Sequence, residues 1–366
     1  MNIECIKEKF GYALGKVEKI TGKNITLPIL DCVLLEAKNA TLTLKATNLD
    51  MGIEISIPVK VMEPGSVAVS GSVLYNFISN VPNDKNIVLK TVSGNLKVST
   101  KHSESVIKSF PSEDFPNIPK ISNEKSFSFN APQLLKGFKS VMYACSVSTI
   151  RPVLSSVMLV SEEDSVVFVA TDSFRLSEKK INMKKHKEFG QILIPFKNVG
   201  EIIRVLEDVK DDMEVNLSEN QISFLYKDMH ITSRVIDGVF PDYRQIIPKD
   251  VKTEVVLLKQ DLISALRIAN IFGDKFSQVN FSINPEEKSF KVTTKSMDVG
   301  ENVSTLDAVI KGEEISVNYN YKYIMDCFQS IDSDSVSLSF SDANRPMIVS
   351  GVSDKSFLYL VMPMNK

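Results

Sequence analysis

Leu42-Thr43-Leu44-Lys45-Ala46-Thr47-Asn48, Val166-Val167-Phe168-Val169-Ala170-Thr171-Asp172 and Ser289-Phe290-Lys291-Val292-Thr293-Thr294-Lys295 are three versions of one strand. Each is rich in β-branched or aromatic residues, as strands are. Thr47, Thr171 and Thr294 lie 124 and 123 residues apart. A repeat of this kind is read before anything else, because it sets the architecture.

The same interval governs the helical spacing. Leu74, Phe77, Ile78 and Val81 stand at offsets 0, 3, 4 and 7, as do Val199, Ile202, Ile203 and Leu206, and again Tyr321, Ile324, Met325 and Phe328. That spacing sets four apolar side chains on one helix face. Each of these helices follows a short strand, at 67–70, 192–194 and 315–317. A different helix opens each copy. Ile6, Phe10, Ala13, Leu14 and Val17 match Leu134, Phe138, Val141, Met142 and Cys145; the third copy keeps Leu262, Leu266 and Ala269, then breaks at Asn270 and Gly273. Asn130 and Pro132 supply a helix start in the second copy. Proline-bearing segments at 115–119 and 240–248 run into polar stretches and read as linkers. The fold class is therefore α+β. It predicts three repeated domains, 1–122, 123–250 and 251–366, each with two amphipathic helices packed on antiparallel strands.

Composition narrows the function. The chain has 366 residues, too many for one ordinary core. It is 43% hydrophobic and 24% charged, which suits globular domains and excludes a disordered chain. No apolar run is long enough to span a membrane. Met1-Asn2-Ile3-Glu4-Cys5 lacks the build of a secretion leader, so a soluble, cytoplasmic protein is expected. Cys5, Cys32, Cys145 and Cys327 form no C-x-x-C pair and read as small apolar fillers. His102, His186 and His230 lack metal-ligand spacing, so no metal or other cofactor is expected. The net charge is −2, which argues against a protein that grips DNA by neutralising many phosphates. Repeats with open sheet edges can close into a ring. A ring threaded by DNA is held by topology and needs few ionic contacts. The charges on the repeated helices lean slightly positive, in that direction. The alternative is a monomeric three-domain interaction adaptor that never meets DNA.

The motifs decide between them. Ala170-Thr171-Asp172-Ser173-Phe174-Arg175-Leu176 resembles the A-T-D-[GS]-x-R-L signature of bacterial DNA sliding clamps, the beta subunits of the DNA polymerase III holoenzyme. Leu27-Pro28-Ile29-Leu30, Ala46-Thr47-Asn48-Leu49, Arg151-Pro152-Val153-Leu154, Gly238-Val239-Phe240-Pro241-Asp242-Tyr243 and Val361-Met362-Pro363-Met364 resemble the same family in the same order. The resemblance covers the whole chain. It implies a ring-forming DNA clamp fold of three clamp-type domains and a non-catalytic processivity factor. It implies a head-to-tail homodimer with helices lining a hole for duplex DNA. It also implies a shared pocket between the second and third domains, where replicative polymerase, clamp loader, mismatch-repair and other proteins insert short peptides.

Carried over by position, the apolar part of that pocket uses Leu154, Thr171, Leu176, Pro241, Ile246, Leu360 and Met362. The second part uses Arg151, Tyr323, Pro346, Pro363 and Met364, with Ser173, Phe174 and Arg175 shaping the floor. Leucine, isoleucine and methionine walls suit an apolar anchor, and methionine adapts to varied partners. Lys23, Asn24, Lys136, Lys139, Lys197 and Arg204 are the expected DNA contacts. The dimer contact is expected near Ile107 on one side and at Ala269, Ile271 and Phe272 on the other. Phe174 stands where many relatives carry histidine, Val153 where some carry an aromatic, and Asn24 where some carry arginine.

Catalysis has little to stand on. Asp172, Ser173 and Arg175 form no triad, since no histidine sits in a recognisable motif and a nucleophilic serine needs a positioned base. No glycine-rich phosphate loop or clustered metal carboxylates appear either.

Overall fold

The computed structural model describes residues 1–22, 26–82, 85–119, 121, 125–183, 188–273 and 275–364. Lys23, Asn24 and His186 lie outside the described residues. The helices are α1 (Lys7–Val17), α2 (Gly71–Asn80), α3 (Ala131–Val141), α4 (Phe196–Leu206), α5 (Lys259–Ile271) and α6 (Tyr321–Cys327). They fall where the spacing predicts, and their apolar stripes are inward. Phe10, Ala13, Leu14 and Val17 are buried on α1, Leu134, Phe138 and Val141 on α3, and Leu262, Leu266 and Ala269 on α5. Phe77, Met142, Tyr321 and Met325 are half-buried, and Ile6 departs furthest. It ends the strand Asn2–Ile6, whose alternation leaves it 42% exposed. Met142 begins a 3-10 turn rather than continuing α3. The start of α3 is closed by Asn130, whose Oδ1 accepts the Gln133 N–H at 3.4 Å. Within α3, a Cβ on Gly137 would sit 2.5 Å from the Phe168 ring. Glycine there lets Phe168 press against the helix, edge to face with Phe138 at 5.3 Å between centroids.

The repeats are three, but the compact units are two. The first unit is Met1–Leu135 with Lys197–Val235; the second is Lys136–Phe196 with Ile236–Lys366. The reason is the sheets, whose pairings are antiparallel among the described residues. In the first unit, strand Met51–Pro58 of the first repeat pairs with Met229–Arg234 of the second, Ile53 opposite Ile231 and Ile55 opposite Met229. That pairing makes one nine-stranded sheet. In the second unit, Arg175–Asn182 of the second repeat pairs with Phe357–Val361 of the third, Ser177 opposite Tyr359 and Lys179 opposite Phe357. A second nine-stranded sheet results. Each unit also holds a smaller sheet. The five-stranded one ends on Glu104–Ile107 and the four-stranded one on Gly300–Leu306. Both end strands expose a valine, Val106 at 61% and Val303 at 56%. No helix of the described residues is long and apolar enough to cross a membrane.

Candidate functional site

The signature segment 170–176 is a turn between two strands of the second unit. Thr171 Oγ1 donates to the Arg175 carbonyl at 2.7 Å and accepts the Ser173 N–H at 3.1 Å. Asp172 Oδ1 accepts the N–H groups of Phe174 and Arg175 at 2.9 and 3.0 Å. Ser173 takes a positive φ of 79°, the left-handed conformation such a turn demands. The turn pushes Phe174 outward, 60% exposed, and sends Arg175 inward.

Arg175 is the hub of this region. Its guanidinium meets Asp172 at 3.0 Å, Asp326 of α6 at 2.5 Å and the Tyr143 carbonyl at 2.6 Å, and it lies over the Tyr323 ring at 4.5 Å. Tyr323 is fixed in turn by Tyr359, whose hydroxyl donates to the Tyr323 carbonyl at 2.8 Å. Arginine's planar fork makes such multiple pairing possible. Arg175 therefore spends its donors inside the protein, tying the turn to α6. The parts Asp326, Tyr143 and Tyr359 were not foreseen from sequence.

Part of the expected apolar set lies at this turn. Leu176 and Leu360 share a buried cluster with Phe240 and Tyr243, against which Val153 packs. Thr171, Leu154 and Pro346 are buried. Met362 is joined to the turn by its N–H, which donates to the Phe174 carbonyl at 2.8 Å. Pro363 follows it, and Met364 N–H bonds the Asn318 carbonyl at 2.8 Å. Leu154 N–H reaches the Arg151 carbonyl at 3.0 Å, which folds 151–154 into a tight turn with Arg151 exposed. Pro241 is exposed on the linker. Ile246, 47% exposed, lines a shallow cavity of about 310 Å³ with Ile247, Pro248, Lys252 and Arg345, and Ile247 packs against the buried cluster of Leu176 and Leu360.

The charged helix faces are less uniform than the sequence implied. Lys139 and Lys197 are exposed. Lys136 pairs with Asp332 at 2.5 Å, and Arg204 with Glu201 at 2.8 Å, so both carry a carboxylate partner. Lys16, one of the charges of α1, is buried. Its ammonium donates to the Val205 carbonyl at the end of α4 and meets Asp208 at 2.5 Å. Lys19 donates to the Arg204 carbonyl at 3.2 Å. Both lysines cap a helix C-terminus, where the backbone carries unpaired carbonyls and partial negative charge. Tyr12 adds a 2.6 Å bond to Asp208. Burial works against charge on Asp208, but the bonds from Lys16 and Tyr12 outweigh it and hold the carboxyl below its usual range. The same burial and the Asp208 carboxylate push the Tyr12 hydroxyl up.

The expected dimer residues divide. Ile107 and Ala269 are buried within their own chain, Ala269 accepting the Thr294 hydroxyl at 3.0 Å through its carbonyl. Their side chains face inward within this chain. Ile271 is 66% exposed and Phe272 half-buried, beside Ile268 and Phe276, which are exposed as well. All four cysteines are free and buried, and burial pushes the thiols of Cys5, Cys32 and Cys145 up to about 12. No cluster of three potential metal ligands occurs among the described residues.

Three family models match the chain in order. The N-terminal domain of the DNA polymerase III beta subunit matches residues 1–119, its central domain 130–242 and its C-terminal domain 244–365. The beta sliding clamp of Synechococcus elongatus is 24% identical over 372 residues, covering 100% of this chain and 99% of the relative. That of Staphylococcus aureus is 24% identical over 374 residues with the same coverage. Among solved structures, the DNA polymerase sliding clamp of Bacillus subtilis superposes with a TM-score of 0.95 at 23% identity, covering 100% of this chain and 99% of that one. The DNA polymerase III beta subunit of Thermotoga maritima gives 0.94 at 23% with the same coverage. The beta chain of Streptococcus pneumoniae gives 0.95 at 25%, covering 100% of both chains. The fold is thus α+β with three clamp-type domains, each made of two helices on antiparallel sheets. With all three domain models matched in order and relatives aligned from end to end, the chain belongs to the family of bacterial beta sliding clamps, the beta subunits of DNA polymerase III.

Proposed function

We propose that the protein is a processivity factor, a homodimeric ring that encircles duplex DNA and tethers polymerase and other proteins to it. One observation carries the ring. The strands that join repeats inside the chain are Met51–Pro58 to Met229–Arg234, and Arg175–Asn182 to Phe357–Val361. Their counterparts in the repeat pattern are Gly300–Leu306 and Glu104–Ile107, which end their sheets. A third joint of the same kind needs a second copy of the chain, placed head to tail. Two such joints close a ring of six domains and leave neither edge open. Val106, Ile271, Phe272 and Val303 are the apolar surface it would cover.

In this reading the domains divide at 122/123 and 250/251. Lys136, Lys139, Lys197 and Arg204 face the DNA phosphates, joined by Lys23 and Asn24. Few ionic contacts suit a ring that must slide, since each bound phosphate adds salt-dependent affinity. Replicative polymerase, clamp loader and mismatch-repair proteins would enter the site around Thr171–Leu176 and Leu360–Met364 with an apolar peptide anchor, Arg151 and Tyr323 at its rim. The mechanism is effective concentration, not chemistry: a tethered polymerase is held near its template. The protein is a cytoplasmic, non-catalytic subunit.

The test is retention on nicked circular plasmid, followed by gel filtration, after loading with a compatible clamp loader and ATP. The expected result is retention on the circle and loss once the plasmid is cut. Equal retention on both forms would mean ordinary DNA binding, and retention on neither would favour an interaction adaptor.

A further inference from the structure

The turn at Thr171 has a twin in the first unit. Thr47 Oγ1 donates to the Met51 carbonyl at 2.7 Å and accepts the Leu49 N–H at 3.1 Å. Asn48 Oδ1 accepts the N–H groups of Asp50 and Met51 at 3.1 and 2.8 Å. Leu49 takes a φ of 75°, as Ser173 takes 79°. The joint strand is attached in the same way: Arg234 N–H donates to the Asp50 carbonyl at 2.8 Å, as Met362 N–H donates to that of Phe174. The flanking turn is copied too. Leu30 N–H bonds the Leu27 carbonyl at 3.1 Å and Gly22 N–H bonds the Leu30 carbonyl at 2.9 Å; at the other joint the same bonds link Leu154 to Arg151 and Ser146 to Leu154.

The side chains on this common frame differ in one respect above others. The apolar floor is kept. Gly52 stands where the other joint has Leu176, and Ile118 lies so close that a Cβ on Gly52 would come within 2.6 Å of it. Leu30 is buried as Leu154 is, and Leu27 and Leu49 are exposed at 45% and 50%. The walls are changed. Asp50 replaces Phe174 and Arg234 replaces Met362, and the two charges lie 3.9 Å apart, each about two-thirds exposed. An ion pair so exposed contributes little by its own attraction. Its effect is on anything that would dock over it, which must strip water from two charges. Phe174 and Met362 offer apolar surface instead.

We propose that the joint of the first two repeats carries a closed copy of the peptide site, that Asp50 and Arg234 close it, and that Phe174 and Met362 determine which joint accepts a peptide. This rests on the peptide-site reading given above. The test titrates a fluorescein-labelled peptide with leucine and phenylalanine anchors into the full-length protein, reading affinity by anisotropy and stoichiometry by calorimetry. The parent is expected to take one peptide per chain. The F174D/M362R variant should lose about tenfold or more in affinity, as truncation of buried anchors does. The D50F/R234M variant should take two peptides per chain. D50A/R234A removes the ion pair without adding bulk and should take the second one more weakly; melting curves check that each variant is folded. If both variants at 50 and 234 still bind a single peptide, the inference is overturned while the peptide site stands. If the parent binds none, the peptide-site reading fails and the inference falls with it.

Discussion

The two joints between repeats share a backbone and differ in how they are fastened. The first is secured from beside its sheet, by Lys16 of α1 and Lys19 of the turn that follows it capping the end of α4, and by Asp208 accepting Lys16 and Tyr12. Its strands add apolar pairs, Ile53 with Ile231 and Ile55 with Met229. The second is secured through the turn itself, by Arg175 on Asp326, and through its joining strands, by the buried Lys179 on Asp354 at 3.0 Å and Ser356 at 2.7 Å. The difference teaches where a binding site can be carried. A joint held by a helix cap can spend its turn on a surface ion pair. A joint whose turn is held from below by an arginine can leave that turn's outer face apolar and still be rigid.

Breaking the arginine should have the largest effect. R175A strips the partner from the largely buried Asp172 and from the 43% exposed Asp326 together; breaking a buried pair costs ~3–5 kcal/mol, and the exposure of Asp326 puts the loss at the low end, about 3 kcal/mol. Denaturant unfolding should show that loss, and peptide binding should fall with it; unchanged binding would separate the hub from the site. D354N comes next. It leaves the Lys179 ammonium, 2% exposed, with Ser356 and a neutral amide, at a cost of about 2–3 kcal/mol by thermal or denaturant unfolding. Its effect on peptide binding should be small, because Lys179 lies on the strand beyond the turn.

K16M keeps the buried stem and removes the cap and the ion pair. With half of the Asp208 side chain in solvent, the expected loss is about 1–2 kcal/mol. Because the Asp208 carboxyl is held below its usual range, its contribution is present above the unfolded value, about 3.9, and is lost as pH falls through the lower folded value. The parent should therefore lose more stability than K16M on acidification below about pH 4, measured by unfolding at each pH. Identical acid sensitivity would remove Lys16 from the account. The smallest and sharpest comparison is T47V against T171V. Each deletes the same two hydrogen bonds, at about 1 kcal/mol, yet T171V alone should weaken the peptide.

The repeat, the six helices and the strands flanking them were legible in sequence because their periodicities are local. Leu74 to Val81 and Val199 to Leu206 declare a helix face without reference to the rest of the chain. The two-unit division was not legible, since it depends on Ile53 finding Ile231 and Ser177 finding Tyr359 across long separations. The motif Ala170–Leu176 marked the site, but a lone Arg175 says nothing of Asp326. Lys16 reads as solvated by type; its one signal is its place three residues after the buried Ala13, on the apolar stripe. The family resemblance puts the dimer contact near Ile107 and Ala269, while the strand and helix periods turn those two side chains inward.

The buried cysteines have a practical corollary for labelling. A thiol attacks electrophiles as thiolate, and a group whose pKa stands near 12 is ionised to about one part in 10⁵ at neutral pH. Cys5, Cys32 and Cys145 are in that state and Cys327 is pushed higher still by full burial. A single cysteine placed on an exposed position away from the proposed contact, such as Val147 at 82%, would then react alone, so a dye or spin label reports one address on the protein without prior removal of the native thiols.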